Sequence, residues 1–214
     1  MAMWTWKRIG SGLAAGAAAA LLIGASALPA AAATPTWSVK PGGAATAKAG
    51  KTILKDTKTG TVLTCTSSSA KITIKKGHKL AGAGLAKITA ISFTDCTGPL
   101  GITFTVKSSA LPWKLNAVSY NKKTGTTTGT ITGIHSTLSG PGCSAVVDGT
   151  GASKDNGSVD VTYVNKTHKL TVLPKGDNLH IYKVSGCFGL INTGNPSSFT
   201  AVDAVSPAQT ITSP

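Results

Sequence analysis

The feature that most constrains the fold is alternation. Lys71-Ile72-Thr73-Ile74-Lys75 and Ile102-Thr103-Phe104-Thr105-Val106-Lys107 set apolar and polar residues at successive positions. Strands built this way have one dry and one wet face, as antiparallel strands packed on one side require. Short runs of the same kind, rich in Val, Ile and Thr, recur between Gly, Asn, Asp and Pro punctuation, and no sustained 3.6-residue apolar period competes with them. The runs predict strands over 52–55, 61–66, 71–75, 86–94, 101–107, 113–120, 129–138, 144–148, 158–164, 169–173, 178–184, 199–205 and 209–212. Asp155-Asn156-Gly157-Ser158 has the residues of a type I′ hairpin turn. The expectation is an all-β protein, an antiparallel β-sandwich or barrel.

A leader precedes this β-patterned part. Lys7 and Arg8 form a short basic region, an apolar stretch covers 12–28, and Ala30 to Ala33 offer small residues to a signal peptidase. This is the pattern of a secretory signal peptide, residues 1–33, cut near Ala33. The apolar run is near the lower limit for crossing a bilayer, so a retained anchor is the alternative. The mature chain, 34–214, then suits one large β domain or two small ones.

That mature chain has 19 lysines and no arginine, seven aspartates and no glutamate, a net charge of +12 with histidine neutral. Arginine is the usual bidentate reader of phosphate and guanine, so nucleic acid is not an expected partner. Scattered aspartates without glutamate argue against paired-carboxylate hydrolysis. The lysine excess suits an anionic cell-wall polymer or membrane surface. The best contacts are the Lys-rich turns carrying Lys75, Lys76 and Lys79, and Lys122 and Lys123.

Four cysteines, Cys65, Cys96, Cys143 and Cys187, read as two disulfides in an exported chain. None has the spacing of a metal site, and neither metal nor cofactor is expected. Three pairings are open. A loose repeat favours one of them. The first half runs Trp37-Ser-Val, Asp56-Thr-Lys-Thr-Gly60-Thr, Cys65, Cys96-Thr-Gly-Pro-Leu-Gly. The second runs Trp113-Lys-Leu, Asn121-Lys-Lys-Thr-Gly125-Thr, Cys143, Cys187-Phe-Gly-Leu-Ile. Duplicated halves, 34–110 and 111–214 with a boundary near Ser108 to Pro112, would each close their own cystine, Cys65–Cys96 and Cys143–Cys187.

No catalytic motif is present: no GxSxG elbow, P-loop or HExxH. Ala81-Gly-Ala-Gly-Leu-Ala lacks the Lys-Ser/Thr of a phosphate cradle and reads as a tight loop. His78 and His168 lie in Lys-flanked turns, His135 and His180 within strands. His135, Ser136 and Asp148 can be drawn as a triad, but a hydrogen-bonded structural histidine is the favoured reading. Trp37 and Trp113 read as core residues before sugar-stacking platforms.

Gly129-Thr-Ile-Thr-Gly-Ile-His-Ser-Thr-Leu-Ser-Gly-Pro-Gly-Cys143-Ser-Ala-Val-Val-Asp-Gly-Thr150, Cys96-Thr-Gly-Pro-Leu-Gly and the tail Val205-Ser-Pro-Ala-Gln-Thr-Ile resemble a group of small secreted actinobacterial Thr/Gly-rich proteins with two disulfides. The resemblance implies context and no mechanism. The expected protein is secreted, extracellular or held at the cell envelope, and non-enzymatic: a binding or structural module. The alternatives are a carrier of a small apolar ligand in a β cavity and a hydrolase without a recognisable motif. A filled core with Lys-rich faces would favour the first, an apolar cavity the second, and a cleft joining His135 or His180 to an aspartate the third.

Overall fold

The computed structural model describes residues 34–175 and 178–214, and the expected leader over 1–33 lies outside them. Thr34–Pro214 form one compact unit. Four long strands span it: β4 (Val62–Ile74), β6 (Ala86–Thr97), β9 (Thr126–Gly140) and β14 (Ser197–Ser206). Shorter strands come in consecutive couples that each cover half a barrel height. These are β2 (Gly43–Ala49) with β3 (Thr52–Asp56), β7 (Thr103–Ser109) with β8 (Trp113–Asn121), β10 (Cys143–Asp148) with β11 (Gly157–Val164), and β12 (Lys169–Val172) with β13 (His180–Gly186).

Antiparallel pairings close into a ring, β9–β11–β12–β14–β2–β4–β6–β8 and back to β9. Closure leaves no free sheet edge in this half. At the other end the same long strands are joined by the alternate members: β14–β3–β4–β6–β7–β9–β10–β13. A bridge between His180 and Pro196 and a bond from Ser197 N to the Leu179 carbonyl then tie β13 back to the start of β14. A small sheet of β1 (Thr36–Lys40), β5 (Gly77–Ala81) and β15 (Thr210–Thr212) caps the first end. There Trp37 and Val39 join the core, and Ile211 faces Leu115, Val161 and Val205 of the barrel.

Alternation sets which side chains fill the interior. Gly157, Val159, Val161 and Tyr163 of β11 are buried, and their neighbours are partly exposed. In β4 the phase slips by one residue between Cys65 and Ser68, where the strand passes from β3 to β2. The runs 61–66 and 71–75 are therefore one strand. β1, β2 and β5 have no counterpart among the predicted strands. β2 reads Gly-Ala-Ala-Thr-Ala-Lys-Ala, poor in β-formers, and is strand because β4 and β14 flank it.

Asn156-Gly157 is not a hairpin turn. β10 pairs with β9 and β13, and β11 pairs with β9 and β12, so 149–156 links two strands lying end to end along β9. Gly157 is needed for close approach: a Cβ there would sit 2.5 Å from the Ile134 carbonyl oxygen.

The repeated Asx-x-Lys-Thr-Gly-Thr segments do form the same turn. Asp56 Oδ1 accepts from Lys58 N and Thr59 N, and Asn121 Oδ1 from Lys123 N and Thr124 N. Gly60 and Gly125 close the turns at φ 77° and 65°, a region open to glycine.

Candidate functional site

His135 and Asp148 do meet, at 2.9 Å, and Asp155 lies 3.0 Å from the same Nδ1. The contact anchors a loop. Asp148 is 0% exposed. Its Oδ1 accepts from the backbone N–H of Gly149 and Asn156, and its Oδ2 from Lys154, Asp155 and His135. Burial alone would raise this carboxyl, but the N–H groups of Gly149 and Asp155, His135 and the Asn156 N–H together hold it below the usual carboxylate range. The cluster His135, Asp148 and Asp155 has the donors of a cation site, yet both Asp148 oxygens are already committed to the loop. Ser136 bonds to Ser108 at 3.2 Å and points to the opposite face of β9 from His135. The triad is not assembled. His180 Nδ1 and the Tyr182 hydroxyl both meet the Gly149 carbonyl at 2.9 Å, again holding this loop.

Trp37 and Trp113 are buried, and Trp113 Nε1 donates to the Ser109 carbonyl. Neither offers a face for stacking. The five lysines are exposed. Lys75, Lys76 and Lys79 lie on the β4–β5 connection and β5, Lys122 and Lys123 on the β8–β9 turn. Both segments belong to the capped end: Gly82, just past β5, bonds to Ala117 of β8, while Asn165 joins Gly125 to Ile211 of the cap.

The opposite end carries the cystines. Cys65 is bonded to Cys96, directly across the β4–β6 pair. Cys143 is bonded to Cys187, next to the β10–β13 pair. Each cystine is followed by a short 3₁₀ turn, Pro99–Gly101 or Cys187–Gly189. At their tips stand Leu100, 95% exposed with φ 59°, and Phe188, 86% exposed with φ 48°. Bulky residues rarely take this left-handed conformation. Pro99 of one turn and Leu190 just past the other line one void of about 40 Å³ beside Val62 and Phe104, so the tips share an end. Thr59 and Thr61 hydroxyls donate to the Leu190 carbonyl and brace the second turn on the first half of the chain.

The interior is not fully filled. A central void of about 90 Å³ lies among Leu54, Ile72, Phe93, Trp113, Leu138 and Phe199. It adjoins one of about 70 Å³ toward the cap and the 40 Å³ void at the cystine end. Inward positions of β2 are all alanine, Ala45, Ala47 and Ala49, with Ala70 and Ala201 nearby on β4 and β14. Of these, Ala47, Ala70 and Ala201 line the central void, and their small side chains leave it open. Four polar residues, Thr52, Ser68, Ser136 and Asp203, reach the central void. Neither the tips nor Asp203 stood out in sequence, although each has a signal there. An apolar residue just before Gly and close after a Cys marks the tips, and an Asp in the apolar phase of Ala201-Val202-Asp203-Ala204-Val205 marks the inward carboxyl.

Two cystines fit an oxidising, extracellular or periplasmic setting. No helix among the described residues is long and apolar enough to cross a membrane. No curated protein and no solved structure matches the chain. A family model described as "Alkane oxidation protein activator PraA/PraB-like" matches residues 7–212. With nearly its whole length covered, the chain belongs to the PraA/PraB-like family of alkane oxidation protein activators.

Proposed function

We propose that this protein is a secreted, non-enzymatic accessory of alkane oxidation that attaches to a hydrocarbon phase through its cystine end. The observation that carries the reading is the pair Leu100 and Phe188, standing out of one end on cystine-tethered turns. Each holds a bulky apolar side chain mostly in water and in a left-handed backbone conformation. A fluid apolar phase suits such tips, because it takes up isolated side chains without needing a complementary groove. The family's description supplies the substrate class. The capped end supports a second contact: Lys75, Lys76, Lys79, Lys122 and Lys123 hold an anionic polymer of the cell envelope, so one molecule links the envelope to the hydrocarbon.

Adsorption to hexadecane droplets tests the tips. Burying a Leu or Phe side chain contributes about 1.5–3 kcal/mol, so the double substitution Leu100→Ser and Phe188→Ser should lower adsorption at least tenfold at unchanged melting temperature. Equal adsorption of variant and parent would sink the reading.

A further inference from the structure

The central void contains polar groups with no partner. Thr52, first residue of β3, is 1% exposed, and its Oγ1 makes no hydrogen bond. Buried hydroxyls ordinarily find a partner, because the desolvation cost is otherwise uncompensated. Asp203 enters the same void from β14, where that strand begins to pair with β2. It is 8% exposed, and burial lifts its carboxyl to about 6, with no hydrogen bond offsetting the shift. Among the described residues, no Lys, Arg or His lines the void. Three hydroxyls, of Thr52, Ser68 and Ser136, and one carboxyl thus stand in a wall that is otherwise mostly apolar; Ser136 is already bonded to Ser108, and Thr52 Oγ1 is fully buried without a partner.

We propose that the barrel interior is a binding site for an unbranched aliphatic alcohol, with its hydroxyl held by Thr52 and Asp203 and its chain in the adjoining voids. The Thr52 hydroxyl donates to the alcohol oxygen, and the alcohol O–H donates to Asp203. A plain alkane leaves both groups as they are, without partners. An alkanoate brings a negative charge beside Asp203 where no cation answers it. An alkylammonium must shed its water in an apolar cavity, and one carboxylate repays that poorly. Size sets the chain length. A cavity of about 150 Å³ accepts benzene, roughly 25 Å³ per non-hydrogen atom. On that scale the central void holds about four such atoms and its neighbours about three and about two. The ligand is therefore a medium-chain alcohol, slender enough to run between voids that share Ile72 and Leu170 on one side and Leu54, Leu63 and Leu138 on the other.

The test is calorimetric titration of the oxidised protein with hexan-1-ol, hexane, hexanoate and hexylamine, with the fluorescence of Trp113, which lines the void, as a second readout. Hexan-1-ol should bind at one site, at least tenfold more tightly than the other three. Thr52→Val keeps the shape and removes the hydroxyl. It should fold at least as stably as the parent and lose most of the preference for alcohol over alkane. Asp203→Leu should fill the void and abolish binding. The proposal is overturned if hexan-1-ol does not bind, if hexane or hexylamine binds equally well, or if Thr52→Val leaves the preference unchanged. The site is separate from the tips, so the Leu100→Ser, Phe188→Ser protein should bind hexan-1-ol like the parent. Loss of binding in that variant would place the alcohol on the tips and overturn the interior site, whereas failure of the interior site leaves droplet adsorption untouched.

Discussion

Among the described residues three aspartates are withdrawn from solvent, and their surroundings treat them in opposite ways. Asp56 and Asp148 are buried, yet hydrogen bonds lower both. Asp56 accepts from Asn195 Nδ2 and from the N–H groups of Thr59 and Lys58, and Asp148 from its own loop. Their contribution to stability is present above the unfolded carboxylate range and is lost as pH falls through the lowered values. Asp203 has burial without hydrogen bonds, so its folded value of about 6 exceeds the ordinary 3.8. The folded state therefore binds this proton more tightly than the unfolded chain. The stability it confers is complete below about pH 4 and is lost as pH rises to 6 and beyond. Asp203→Asn carries no charge at any pH. It should exceed the parent by about 3 kcal/mol at pH 8 and converge with it below about pH 4. Urea unfolding at pH 4, 6 and 8 checks this, and an offset independent of pH would contradict it.

At the scale of elements, the two cystines do the same work at the same end. Each fixes the base of a turn whose tip is apolar and exposed. In the chain-entropy model, closing loops with separations of 31 and 44 residues contributes about 4 kcal/mol each. Replacing Cys143 and Cys187 by Ser should lower the unfolding free energy by an amount of that order. Droplet adsorption should also weaken below the melting temperature, because Phe188 is no longer held outward on a fixed turn. Unchanged adsorption by a folded Cys143→Ser, Cys187→Ser protein would show that tethering is irrelevant to the tips. Peptide mapping of unreduced protein should recover Cys65 with Cys96 and Cys143 with Cys187.

The two ends of the 34–214 barrel differ: the loops carrying Lys75, Lys76 and Lys79, and Lys122 and Lys123, lie at the capped end, and the apolar tips lie at the other, beside the turn that carries the exposed Lys58. Binding through exposed lysines is weakly oriented and screened by salt, since the Debye length falls from about 10 Å at 0.1 M to about 3 Å at 1 M. Changing Lys75, Lys76, Lys79, Lys122 and Lys123 to Gln should lower binding to purified anionic cell-wall polymer and leave the melting temperature nearly unchanged. Hexadecane adsorption by the same variant should persist. Polymer binding that survives 1 M salt, or that the five substitutions do not reduce, would refute the electrostatic contact.

Local chemistry was legible in the residues before any fold was known. Alternation marked most strands, because a strand with one buried face must repeat every two residues. Asp56 to Thr61 and Asn121 to Thr126 form the same turn because an Asx side chain and a following glycine suffice to close it. Placement is a different matter. These matching turns lie at opposite ends of the barrel, the first beside Leu190 and the second near the cap. Nothing within six residues encodes that difference, because it follows from which long strands flank each turn. The same holds for β2, which is strand by virtue of its neighbours, and for Asn156-Gly157, whose turn-forming residues are overridden by pairing along β9. The barrel interior was the least legible. Its voids depend on alanines of separate strands facing one space, and the isolation of Thr52 and Asp203 depends on what those strands leave out, which only ring closure decides.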